Sequence, residues 1–333
     1  MTRPRTMTTI LVLASLLVVL AAAWGALALW VQFPAPPPRR IMMACLWVAA
    51  MLALLVLAWQ GRSLLPLIGH VLLLGLLAGW WLSITPSNTR DWADDVSRPS
   101  TGDIHGDIVT LRDVRNFEWR SATDYTPRWE TRHYDLSTLR DVDMILSYWT
   151  IEPIAHTLVS FGFENGERVV FSVEIRKERH ESFSALGGFF KQFEASVIAA
   201  DERDIVRVRS NVRKERVYLY KVQMPQPVMQ SLFAAYVEEA NRLSAEPRFY
   251  NTLTENCTTI VYAMMRRLVD GLPMNWRLLA SGYLPTYVHE RNALTPGVAL
   301  DVLRERGHIN ARAQAADDAP DFSQRIRAGV PGY

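Results

Sequence analysis

The chain has 333 residues, 36 Lys and Arg against 34 Asp and Glu, a formal net charge of +2 and two cysteines. The net charge averages an almost uncharged N-terminal stretch with a well-charged remainder, and neither part has the basic excess of a nucleic-acid binder. Two cysteines make no disulfide framework, and no Cys/His cluster at zinc spacing is present, so neither metal nor other cofactor is expected.

Residues 7–84 hold three apolar runs, 7–33, 41–59 and 64–84, none containing an acidic or basic residue. The first is long enough to cross a bilayer with tilt, and the others are close to spanning length. The first is also too long for a removable signal peptide and lacks a small-residue cleavage site, so it reads as an anchor. Pro34-Ala35-Pro36-Pro37-Pro38-Arg39-Arg40 reads as a turn, and Gln60-Gly61-Arg62-Ser63 as a tight hairpin. Trp24, Trp30, Trp47, Trp59, Trp80 and Trp81 mostly stand near run ends, where interfacial aromatics belong. Cys45 reads as packing and His70 as a polar contact between helices. Basic residues barely discriminate orientation: with the N-terminus inside, Arg3, Arg5 and Arg62 are cytoplasmic while Arg39, Arg40 and Arg90 lie outside. Three spans put everything downstream on the side opposite the N-terminus. If Cys45 is in lipid, Cys257 has no disulfide partner, and an unpaired thiol in an oxidising compartment is a liability unless buried or used.

Residues 85–101 are polar and turn-rich and read as a linker. A soluble domain follows over residues 102–310, large enough for one core. Ile108-Val109-Thr110-Leu111, Phe117-Glu118-Trp119-Arg120 and residues 131–136 alternate as strands, and residues 144–149 read as another. Residues 156–163 and 168–176 form a hairpin. A two-residue turn on Asn165-Gly166 would pair His156 with Ile175 and scatter apolar residues over both faces. A three-residue turn, Glu164-Asn165-Gly166 with a left-handed bulge glycine, places Val159 opposite Phe171, Phe161 opposite Val169 and Thr157 opposite Val173. One face is then almost wholly apolar, and the other holds His156 across from Glu174, with Ser160 and Ser172 farther along. That pair reads either as a histidine oriented by a carboxylate or as a satisfied ion pair on a solvated face.

Residues 205–209 and 215–220 alternate as further strands with a solvated charged face. Pro227 opens a helix to about Leu243, whose buried stripe is Leu232, Phe233, Tyr236, Val237 and Ala240. Next, Asn256 is a good helix N-cap, and Ile260, Val261, Met264 and Leu268 follow at helical spacing. Cys257 thus falls at the first helical position, where amide dipoles bias a thiol toward thiolate. It reads either as a nucleophile or as a small apolar residue under the helix start. A helix is expected over residues 297–306, and residues 311–333 read as a small, polar, mobile tail.

The order of a strand histidine, a polar residue on the next strand, then Asn-Cys at a helix start is similar to that of permuted papain-like thiol domains. These form the circularly permuted branch of the NlpC-type peptidases, which includes lecithin:retinol acyltransferase and its relatives. More narrowly, residues 155–163 and 172–178, Gly187-Gly188-Phe189-Phe190, Ala200-Asp201-Glu202-Arg203-Asp204 and Asn256-Cys257-Thr258-Thr259 resemble the Lnb N-terminal periplasmic domain family. The resemblance implies an α+β fold with an antiparallel sheet packed on helices, and a periplasmic site. It further implies Cys257 as nucleophile, His156 as base and Glu174 as orienting residue.

The expectation is therefore a protein of the bacterial inner membrane with three N-terminal transmembrane helices and a periplasmic papain-like thiol domain. Its function would be acyl transfer or deacylation through a Cys257 thioester, with a membrane lipid or lipoprotein as substrate. The alternatives are a cell-wall peptide amidase or peptidase, and a non-catalytic membrane-associated binding module.

Overall fold

The computed structural model describes residues 5–60 and 65–333. Gly61, Arg62 and Ser63 of the expected hairpin lie outside them, as does Arg3. The chain divides into two compact units, one of the N-terminal 86 residues with Ser184–Gln192, the other of Ser87–Phe183 with Phe193–Tyr333.

In the first unit, α1 (Arg5–Gln32), α2 (Pro37–Gln60) and α3 (Leu65–Ser83) are long and apolar enough to cross a membrane. The proline run does not stay a turn throughout. α2 begins at Pro37, because a proline in the first turn gives up an amide that has no helical partner anyway. His70 is buried on α3, with Nδ1 2.8 Å from the Pro66 carbonyl and Nε2 3.2 Å from the Met51 carbonyl on α2. It is the interhelical polar contact the sequence suggested. Ser184–Gln192 carries a short helix, α4 (Ala185–Phe189), capped by the Ser184 hydroxyl. After it, Phe190 stacks among Trp24 and Trp81, and Lys191 Nζ donates to the carbonyls of Trp81 and Ile84 at 2.8 and 3.2 Å.

The second unit is built on strands β1 (Thr101–His105), β2 (Ile108–Arg115), β3 (Glu118–Trp119), β4 (Tyr125–Thr126), β5 (Trp129–Asp135), β6 (Leu139–Tyr148), β7 (His156–Phe163), β8 (Arg168–Arg176), β9 (Glu194–Ala200) and β10 (Arg216–Val222). Eight of these form one sheet in the order β1-β2-β9-β8-β7-β6-β10, with β5 also on β2, and only the β2–β9 pair is parallel. Helices α5 (Glu202–Arg207), α6 (Gln226–Ala245), α7 (Thr259–Leu268), α8 (Leu284–Glu290), α9 (Leu300–Gly307), α10 (Asn310–Ala316) and α11 (Phe322–Arg325) complete the unit. The class is α+β, as expected.

The β7–β8 hairpin has the register that apolar pairing dictates: Val159 faces Phe171 and Phe161 faces Val169. Its turn is Glu164-Asn165-Gly166, with Gly166 at φ 85° and its amide on the Phe163 carbonyl at 3.0 Å. That left-handed conformation suits glycine, which has no Cβ to clash. The odd-numbered face of β7 packs under α6, where the Phe233 ring lies 5.0 to 6.0 Å from those of Phe161, Phe163 and Phe171. Truncating such a ring to alanine typically costs about 3–5 kcal/mol.

The opposite face is not solvated. Leu158, Val170, Ile198, Val217 and Leu219 are buried there with Ile205 and Val206 of α5 and with Ile309, Ala313, Phe322, Ile326 and Val330. Two expectations fail here. Residues 205–209 are helical, in α5 and the π-helical turn Val208–Val212, instead of extended. The Asp201 carboxylate caps α5 by accepting from the Arg203 amide at 2.9 Å, and Asp204 is fixed by a buried pair with Arg115 at 2.8 Å. Local β-branched alternation loses to those contacts. Nor are residues 311–333 a mobile tail: they supply α10, α11 and much of the second core face, and Arg327 is buried between Asp143 and Glu202. The linker docks as well. Trp92, Val96 and Ser100 are buried, and Arg176 Nη1 donates to Asn88 Oδ1 at 2.7 Å.

Candidate functional site

Three elements bring the sequence-derived residues together. Asn256 Oδ1 accepts from the amides of Thr258 and Thr259 at 2.9 Å each, and the Thr259 hydroxyl receives the Asn256 amide at 2.9 Å. This reciprocal capping starts α7 and holds Cys257 in the turn just ahead of it, two residues before the regular helix. Cys257 is buried, 7% exposed, with Sγ 3.9 Å from the Thr258 hydroxyl, and the His156 side chain and the Thr157 amide are the groups that act on its thiol. Thr157 and Thr258 hydroxyls meet at 3.3 Å across the same junction.

His156 is the first residue of β7, and its Nε2 is 2.6 Å from Ser172 Oγ and 3.1 Å from Glu174 Oε1 on β8. Ser172 Oγ in turn donates to Glu174 Oε1 at 2.7 Å. A hydroxyl has one proton, so with that proton on Glu174 the serine must accept from His156. Nε2 therefore carries hydrogen, and Nδ1 is the ring nitrogen left for the thiol. Arg209 completes the group, with Nη2 2.7 Å from the same Glu174 oxygen.

The charges follow from this geometry. Burial opposes ionisation of all three groups. Against it, the His156 and Arg209 charges and hydrogen bonds from His156 and Ser172 hold the Glu174 carboxyl well below its usual range. Burial alone would lower His156; the Glu174 carboxylate outweighs it, Arg209 works against that, and the ring ends at about 9. Burial pushes the Cys257 thiol up, while the hydrogen bond and charge of His156, then the Thr157 amide, pull it below 9.0. The two shifts run in the direction of a thiolate paired with an imidazolium.

Arg209 was not foreseen. Its stretch alternates as a solvated strand would, yet it sits buried beside Glu174. The Asp201-x-x-Asp204 spacing ahead of it is an N-cap signature that could have signalled a helix. Ser172 was placed on the right face, but its link between ring and carboxylate depends on side-chain geometry. Two cavities, of about 480 and 270 Å³, are lined elsewhere, one by Arg168, Arg327 and Tyr333 and the other by Glu239, Arg248 and Met264.

Fold and site together define an α+β domain, preceded by three helices of membrane-spanning length, that holds a buried thiol, an imidazole and a carboxylate in one group. Residues 125–282, which carry Cys257, His156 and Glu174, match the model of the Lnb N-terminal periplasmic domain family. Comparison with curated proteins and with solved structures gives no match.

Proposed function

We propose that the chain is a membrane-anchored thiol acyltransferase or lipid deacylase of the bacterial inner membrane, its three helices spanning the bilayer and its domain periplasmic. The observation that carries this reading is the Cys257–His156–Glu174 group, whose hydrogen bonds leave His156 Nδ1 to the thiol. The arrangement supports the reading of a permuted papain-like site. Thiolate Sγ attacks the carbonyl carbon of an ester, and the resulting oxyanion turns toward the Cys257 amide. The C–O bond then breaks, the leaving alkoxide takes the His156 proton, and the acyl group remains as a thioester. An amine or water, deprotonated by His156, attacks that thioester and restores the thiolate as the S–C bond breaks. The carboxylate of Glu174 stabilises the imidazolium before His156 gives up its proton and again once the ring has regained one.

An ester of a membrane lipid or lipoprotein is the preferred donor, because the chain that carries the thiol is joined to a three-helix anchor by a short linker. The test is mass spectrometry of the purified full-length protein after incubation with phospholipid vesicles. An acyl mass on the peptide containing Cys257, absent from Cys257→Ser, is the expected result. Adduct formation only with cell-wall peptides would replace the lipid reading with an amidase or peptidase. A thiol inert to iodoacetamide at neutral pH would leave a binding module.

A further inference from the structure

Large apolar side chains stand exposed on the domain unit beside the entrance to β7. Trp149, Ile151, Ile154, Phe183 and Trp276 are each between 38% and 61% exposed. They are linked through contacts. The Trp149 and Phe183 rings meet edge-on at 5.8 Å. Ile151 and Ile154 are joined by a turn, the Ile154 amide on the Ile151 carbonyl at 3.1 Å. The same loop is held from the far side by Ser281, which accepts from the Ala155 amide at 3.1 Å, and by the Gly282 amide on the Pro153 carbonyl at 3.0 Å. Tyr283, next along, packs its ring 5.4 Å from Trp276. His156 follows Ala155 directly, so this apolar rim leads straight to the thiol's partner. The acidic residue of the loop, Glu152, is neutralised by Arg304 and Arg216.

We infer that this rim seats in the headgroup–acyl boundary of a phospholipid bilayer and presents the thiol to ester carbonyls at that depth; this rests on the proposed function. Contiguous exposed apolar surface on a domain marks a contact site, and tryptophans belong to the interfacial belt. Chain continuity names the occupant. Phe183 is followed at once by Ser184–Gln192, which packs with the membrane-length helices through Phe190 and Lys191. At the other junction the chain passes from α3 to the domain unit over residues 84–86, a reach of at most about 14 Å. Arg277, whose guanidinium lies 5.5 Å from the Trp276 ring, is paired with Glu290 at 2.6 Å.

The test uses the full chain in phospholipid nanodiscs, in a Cys45→Ser, Cys257→Ser background, with an environment-sensitive fluorophore on Ile151→Cys. Ser121→Cys, exposed on a different loop, is the reference. The Ile151 label should shift to the blue and be quenched severalfold by lipids brominated in the acyl chain, whereas the Ser121 label should not. Equal, water-like emission and quenching at both positions would overturn the inference. In the otherwise native chain, Ile151→Glu with Phe183→Ser should slow acyl-adduct formation from vesicles about tenfold or more. An unchanged adduct rate would also overturn it. Iodoacetamide labelling of the native chain reads the thiol alone, so loss of bilayer contact and failure of the thiol chemistry are told apart.

Discussion

Glu174→Gln isolates the charge that sets the site's ionisation. In the native chain His156 is carried from 6.5 to about 9 although burial and Arg209 both push it down. That rise of about 2.5 units corresponds to about 3 kcal/mol of folded-state preference for imidazolium. Because the folded value lies above the unfolded one, this stabilisation is complete below pH 6.5 and is lost as pH rises through about 9. Glutamine can still accept from Nε2, but it carries no charge, so the ring should fall below 6.5 and be mostly neutral at pH 7. The thiol then loses its cationic partner, and iodoacetamide alkylation of Cys257 at pH 7 should slow roughly tenfold or more. Urea unfolding should also lose its stability difference between pH 6.5 and 9. It is best measured in a Cys257→Ser background, because the depressed thiol titrates in the opposite sense. A Glu174→Gln chain with the native alkylation rate and native pH profile would refute the assignment of Glu174 as the residue that charges His156.

Cys257→Ser should keep the native melting temperature and abolish adduct formation, and His156→Ala should slow alkylation more than Glu174→Gln does; a fully active Cys257→Ser chain would end the thiol mechanism. Arg327→Met leaves Glu202 buried with only the Ser160 hydroxyl and Asp143 with only Arg168 as its cation, so it should cost about 3–5 kcal/mol in urea unfolding, and an unchanged midpoint would mean the C-terminal segment is dispensable. Gly282→Ala puts a Cβ 1.8 Å from the Glu152 carbonyl oxygen, so overpacking should cost about 1–3 kcal/mol and displace the loop leading to His156. Native stability and native alkylation in that variant would contradict the close approach. Alkaline phosphatase fused after Tyr333 should be active, whereas fluorescence of a cytoplasmic reporter at the same point would reverse the topology.

What the sequence determined by itself was set by short-range physics. The three apolar runs need no tertiary partner to be recognised, because length and the absence of charge are enough. The β7–β8 register follows from side-chain alternation and one bulge glycine, and it alone carries His156 to Glu174. Asn256 announced the turn that opens α7, but the regular helix begins at Thr259 and leaves Cys257 ahead of it instead of at its first position. The strand pattern at residues 205–209 misled because β-branched alternation is a weak preference, and a cap plus the buried Arg115–Asp204 pair override it. Only the tertiary structure brought Arg209 to Glu174, 35 positions away, or Arg327 to Asp143 across 184 positions. Such pairs form where the fold excludes water and a charge must find its counterion. Sequence shows the charges, but the low-dielectric place that makes them matter exists only once the sheet has been covered on both faces.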